Sequence, residues 1–229
     1  MSAGKVLRNM AVLLVSAMAV SAGSASAAKP PKPPQGNPPN SAADLTIAAK
    51  PNPVVFGRST VISGSLKNGG GRVVVLEENP HPYTGGFNPA RTATAASNGD
   101  YSFTVTPKLN TRYRVSTQAS PPARSAELLV LVRIRVSLRL SDSTPRSGSL
   151  VRFSGSAAPE HDWRVVEIQR LRRTGGYATI ARTALKDAGT TRSAYSRRIR
   201  VSRTGTFRAR ILGDGDHATG FSSRRTARL

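Results

Sequence analysis

Apolar and polar residues alternate most clearly between Glu127 and Leu140, ELLVLVRIRVSLRL. Val132, Ile134, Val136, Leu138 and Leu140 fall on one side of a two-residue period, with Arg133, Arg135, Ser137 and Arg139 on the other, as in a half-buried strand. The run is longer than the usual strand of roughly 3–10 residues. It therefore predicts the last strand of one β-unit passing, with little or no linker, into the first strand of another. Shorter alternating segments precede it at Leu45 to Ala49, Thr60 to Leu66, Arg72 to Glu77, Arg91 to Ala95, Tyr101 to Thr106 and Thr111 to Thr117. Between them stand Pro-Asn-Pro, Asn-Gly-Gly-Gly, Ser-Asn-Gly-Asp, Pro-Lys-Leu-Asn and Ser-Pro-Pro, residues with defined turn roles.

The second half repeats the first. Ile62-Ser63-Gly64-Ser65 matches Phe153-Ser154-Gly155-Ser156, and Arg72-Val73-Val74-Val75-Leu76 matches Arg164-Val165-Val166-Glu167-Ile168. Thr84-Gly85-Gly86-Phe87 matches Thr174-Gly175-Gly176-Tyr177, and Ala90-Arg91-Thr92-Ala93 matches Ala181-Arg182-Thr183-Ala184. Tyr101 matches Tyr195, and Tyr113-Arg114 matches Phe207-Arg208, in unbroken order. That order predicts an internal duplication and marks the core: Val74, Leu76, Val166 and Ile168 inward from one strand, Tyr113 and Phe207 at an equivalent inner position. Ser63-Gly64 and Ser154-Gly155 predict a close backbone approach or a bulge. The fold class expected is all-β, two tandem immunoglobulin-like antiparallel β-sandwiches, residues 44–132 and 133–229.

Both units resemble the tandem bacterial immunoglobulin-like domains of exported proteins from high-GC Gram-positive bacteria. The motifs are a strand ending SGS, a strand of form RVVxLxx, a TGG turn, an ART strand and a terminal T-x-Y/F-R strand. The resemblance covers residues 44–229 and implies a sandwich used as spacer, adhesion module or envelope-binding module, with no catalytic residues. The second unit departs from it where Thr190-Thr191-Arg192 replaces an Asn/Asp-Gly-Asp turn and arginines crowd the next strand.

Residues 1–27 carry a secretory leader: basic Lys5 and Arg8, an apolar core from Met10 to Val20, and small residues at Ala25-Ser26-Ala27. That core is shorter than the roughly 20 residues that span a bilayer, so a secreted or envelope-associated protein without a transmembrane segment is expected. Residues 28–43 form a linker in which KPPKPPQGNPPN predicts an extended polyproline-type stalk. There is no Cys, which excludes disulfides and thiolate metal sites.

Net charge is +22 and unevenly placed. Residues 44–131 hold nine basic and five acidic groups, whereas 132–229 hold 21 basic and seven acidic, all but one of the cations being Arg. This excess reflects either a GC-rich coding bias or recognition of anions by the planar guanidinium fork. With Ile199, Val201, Phe207, Ala209 and Ile211 inward, Arg198, Arg200, Arg208 and Arg210 point outward and form the candidate polyanion-binding set, suited to teichoic acid or acidic polysaccharide. The expected partner is a cell-envelope polymer or protein. Sequence-specific nucleic-acid reading lacks a recognition helix and interleaved aromatics.

Catalytic motifs are absent from the sequence, and no cofactor is expected. His81, His161 and His217 occupy predicted loops at non-equivalent places in the two repeats, in no metal-ligand spacing. An enzyme would require a pocket joining a histidine and a carboxylate from different loops. No metal site is expected; the nearest candidate is Asp214 with Asp216 on a Gly-containing loop, read against a simple Asx-type turn. Tyr83 and Phe87, in the loop NPHPYTGGFNPA, are expected to tuck over the sandwich or to stack on sugar rings. Asn68-Gly69-Gly70-Gly71 is expected to be a hairpin turn.

Overall fold

A computed structural model describes residues 44–229. The leader and the Pro-rich linker lie outside the described residues. No α-helix occurs among the described residues, and so none that is long and apolar enough to cross a membrane.

The first half contains β1 (Ala48–Lys50), β2 (Val54–Val55), β3 (Thr60–Ser65), β4 (Val73–Pro80), β5 (Asn88–Thr94), β6 (Asp100–Val105), β7 (Thr111–Thr117), β8 (Leu128–Val130) and β9 (Val132–Arg133). One sheet has the order β1-β3-β6 and the other β5-β4-β7-β8, all antiparallel, while β2 pairs with β9 in parallel. Between the sheets lie Ile62, Phe103 and Val105 from one side and Val74, Leu76, Tyr113 and Val115 from the other, all buried.

The second half contains β10 (Arg135–Val136), β11 (Arg139–Leu140), β12 (Ser149–Ala158), β13 (Val165–Leu171), β14 (Tyr177–Ala184), β15 (Lys186–Asp187), β16 (Ser193–Val201), β17 (Gly205–Ile211), β18 (Gly220–Phe221) and β19 (Arg225–Ala227). Its sheets run β10-β12-β16-β15, with β11 also on β12, and β14-β13-β17-β18, with β19 also on β17. Val151, Phe153, Tyr195 and Val201 face Val166, Ile168, Phe207, Ala209 and Ile211 across a second core. The order of the main strands repeats, β1-β3-β6 as β10-β12-β16 and β5-β4-β7 as β14-β13-β17, with β15 added at one edge of the second half, and the register slips at the same motif position, between Leu76 and Glu77 and between Ile168 and Gln169.

The duplicated motifs have duplicated physical roles. Tyr101 donates its hydroxyl to the Thr46 carbonyl, and Tyr195 donates to Ser137 O at 2.6 Å. Each bond passes over a glycine of an SGS motif. A Cβ on Gly64 or Gly155 would overlap the Thr46 or Ser137 carbonyl and lie 2.6 or 2.7 Å from the tyrosine oxygen. The serine after the glycine then meets the first strand: Ser156 N donates to Ser137 Oγ at 2.8 Å, as Ser65 N does to Thr46 Oγ1 at 2.9 Å. Burial pushes the Tyr101 and Tyr195 hydroxyls well above the usual tyrosine range, which favours the protonated, donating form. Tyr195→Phe removes the donor and leaves the Ser137 carbonyl without it, which costs about 1–3 kcal/mol. Urea unfolding checks this; a midpoint equal to the parent's would refute the tyrosine's structural role.

Two local expectations change. The turn Asn68 to Gly71 is not a hairpin, because β3 and β4 belong to facing sheets and the turn carries the chain between them. The run from Glu127 to Leu140 is extended but divided among β8, β9, β10 and β11, which pair with β7, β2 and β12. Twist and a change of sheet partner prevent a single continuous ladder over that length. Val132 belongs to the first core and Ile134 to the second.

Candidate functional site

Two places in the second half concentrate charged chemistry. On each, strand parity fixes which side chains face out, and the sheet pairing decides which of them meet.

The four arginines singled out above do not share a face. Arg198 and Arg200 lie on β16, in one sheet, and Arg208 and Arg210 on β17, in the sheet across the core. The outward sides of these sheets point away from each other. Arg208 and Arg210 are also only half exposed and already engaged. Arg210 Nε donates to Glu167 Oε2 at 2.7 Å, and Arg208 Nε donates to Gln169 Oε1 at 2.9 Å. The Arg208 guanidinium lies between Tyr177 and Phe221, 3.7 and 4.4 Å from their ring centres. Burial alone would raise the Glu167 pKa, but hydrogen bonds and charge from Arg210, then Arg182, outweigh it and hold the carboxyl below its usual range. This is a closed network. Its counterpart in the first half sets Arg114 over Phe87 at 4.1 Å, with Glu77 accepting from Arg114, so the TGG aromatic clamps the arginine of the T-x-Y/F-R strand in both repeats. Phe87 therefore packs against its own sheet, and Tyr83 sits against Arg112 at 4.6 Å.

The other sheet differs. Arg152 on β12 stands directly opposite Arg198 on β16, Leu150 opposite Arg200, and Arg139 on β11 opposite Ser154. Arg139, Arg152, Arg198 and Arg200 are exposed, and none of the ion pairs among the described residues involves them. Like charges facing each other across a ladder cost up to about 1 kcal/mol. A shallow cleft lined by Ser141, Leu150, Arg152 and Arg198 runs along this row.

The second place lies where the two halves meet. The β17–β18 loop, Leu212 to Thr219, carries Asp214 and Asp216 and docks on the first half. Asn110 N donates to Asp216 O at 2.8 Å, Asn110 Nδ2 to Gly215 O at 3.1 Å, and Ala218 N to Val132 O at 2.7 Å. His217 is 1% exposed and contacts the Phe56 ring edge-on at 5.9 Å. His161, from the β12–β13 loop, meets His217 at 5.1 Å between ring centres. Ligand atoms of His161, Asp214, Asp216 and His217 all lie within 4.8 Å of one another. Asp214 Oδ1 accepts from His217 N at 2.9 Å, which leaves Oδ2 turned toward His161 Nε2 at 3.5 Å and Arg164 Nη2 at 3.6 Å. Sequence reasoning found the two aspartates but neither histidine. The sole signal was the adjacency of Asp216 and His217, because His161 arrives from a loop more than fifty residues away.

A histidine and a carboxylate from different loops thus do converge, as an enzyme would require. They line none of the main clefts found among the described residues.

No family model matches the chain, and no curated protein matches it. Among solved structures it is similar to a tetra-tandem repeat in the extending region of a large adhesion protein. The identity is 17% and the TM-score 0.36, over 80% of this chain and 48% of that one. The chain therefore spans about half the length of that structure.

Proposed function

We propose that this is an exported, non-catalytic structural or adhesion module of the cell envelope, built from two immunoglobulin-like repeats. The observation that carries the proposal is the joint. The first core ends at Val132, the second begins at Ile134, and the Leu212 to Thr219 loop bonds back onto Asn110 and Val132, so no free linker separates the halves. Such a joint transmits orientation and load, as a spacer needs. The inward residues of both halves are taken up by cohesion. Expression with its own leader tests the reading: the product should begin at Ala28 and fractionate with the envelope or the medium. Retention in the cytoplasm with Met1 intact would end it.

A second reading is favoured by the unpaired arginines on β11, β12 and β16: binding of an anionic envelope polymer, in which the polymer's charges relieve the facing Arg152 and Arg198. The face responsible is then Arg139, Arg152, Arg198 and Arg200, and not the set that includes Arg208 and Arg210. Converting those four to Gln should abolish most salt-sensitive retention on heparin or purified wall polymer, since such affinity falls steeply with ionic strength. Arg208→Gln with Arg210→Gln should leave retention nearly unchanged and lower the melting temperature instead. Equal losses from both sets would reduce the effect to overall charge.

A further inference from the structure

His161 and His217 are both buried, and each has one ring nitrogen fixed by a backbone carbonyl. His161 Nδ1 lies 2.9 Å from Pro159 O, and His217 Nε2 lies 2.8 Å from Lys108 O. A carbonyl oxygen can only accept, so those two nitrogens carry the protons of the neutral rings. The other nitrogens, His161 Nε2 and His217 Nδ1, then present lone pairs. What they face is not a donor. His217 Nδ1 lies 3.0 Å from Asp216 Oδ1 but outside hydrogen-bonding geometry, and it is a buried nitrogen without a hydrogen-bond partner; His161 Nε2 lies 3.5 Å from Asp214 Oδ2.

Arg164 offsets part of the charge on Asp214, 3.6 Å from its Oδ2, but the two imidazole lone pairs and the Asp216 carboxylate still converge on one point and repel one another unless positive charge sits between them. We propose that His161, Asp214, Asp216 and His217 bind one zinc-class divalent cation. The donor spacing fits: four ligands at about 2.0–2.1 Å in a tetrahedron stand roughly 3.3 Å apart. Two of the donor pairs, at 3.0 and 3.5 Å, bracket that value, and all four donors lie within 4.8 Å of one another, so the ligands draw in around the ion. Pro159 O and Lys108 O play the part of outer-shell acceptors, which orient ligating histidines and raise their basicity. Two nitrogens and two oxygens select a first-row transition ion over calcium, which takes six to eight oxygens.

The site would also serve the joint. Three of the four ligands belong to the loop that docks on Asn110 and Val132, and the outer-shell acceptor of His217 is in the first half. Fixing the loop around an ion holds its free end against the neighbouring sandwich.

The test uses the full chain stripped by chelation and titrated with Zn²⁺, followed by calorimetry and thermal melting. One ion per chain is expected, with a melting temperature raised by roughly 5–10 °C at a hundred-fold excess over Kd. Co²⁺ in place of zinc should give the visible bands of a four-coordinate N/O site. Asp216→Asn removes a charge at a partly exposed position without disturbing the core, and His161→Gln removes one nitrogen ligand. Each should weaken zinc binding ten-fold or more while the chelated protein melts near the chelated parent. Absence of saturable binding, unchanged affinity in both variants, or an equal shift with Ca²⁺ would overturn the proposal.

Discussion

Gly155→Val destabilises the second sandwich by about 2–6 kcal/mol, far more than a surface change. The glycine lies on β12 where the strand passes under the Tyr195 hydroxyl on its way to the Ser137 carbonyl. A Cβ there overlaps a backbone oxygen, which cannot rotate away, and the tyrosine oxygen at 2.7 Å. β12 is held along nine residues by β16, so it cannot step back as one flexible side chain would. Overpacking of this kind costs about 1–3 kcal/mol, and breaking the Tyr195 bond adds about 1–3 kcal/mol for the abandoned carbonyl. Gly64→Val should do the same to the first sandwich, since Thr46 O and Tyr101 occupy the equivalent places. Urea unfolding followed by far-ultraviolet circular dichroism measures both. Trp163 is 80% exposed and would report little by fluorescence. A Gly155→Val protein with the parental midpoint would contradict the close-approach explanation of the repeat motif.

Phe153→Ala should cost about 3–5 kcal/mol, the range for an aromatic removed from a core. Phe153 is fully buried and packs edge-to-face on Phe207 of the opposing sheet, with centroids 5.1 Å apart at 78°. Paired to β11 on one side and β16 on the other, its strand cannot collapse into the vacated volume. There is no cysteine, so no disulfide limits the loss. Leu150→Ala is the control: its side chain is on the same strand, 58% exposed, and should change stability by no more than about 0.5 kcal/mol. Comparable losses from the two substitutions would mean that Phe153 does not hold the core.

Most of the fold was legible because alternation and turn chemistry are local. Val74, Leu76, Val166, Ile168, Tyr113 and Phe207 are each at most 2% exposed, as the repeat alignment implied. Gly64 and Gly155 proved to be sites of close backbone approach. The Asn68 to Gly71 turn was misread because its residues specify a reversal, while whether the next strand joins the same sheet depends on pairing with distant residues. Strands as short as β2 escaped for a related reason: Val54-Val55 carries too few residues to show a period and exists through its pairing with β9.

The sequence by itself determined that the chain is β, that its motif occurs twice, and which face of each strand is apolar, since side-chain parity is a property of the strand alone. Only the tertiary structure decided which outward residues meet. Arg198 and Arg208 carry the same parity signal, yet one stands free opposite Arg152 and the other is clamped by Tyr177 and Gln169. His161 reaches Asp214 and His217 only because the β12–β13 and β17–β18 loops come out of the same end of the sandwich. Neighbourhoods of that kind are set by long-range pairing and by packing across the core, which no local pattern encodes.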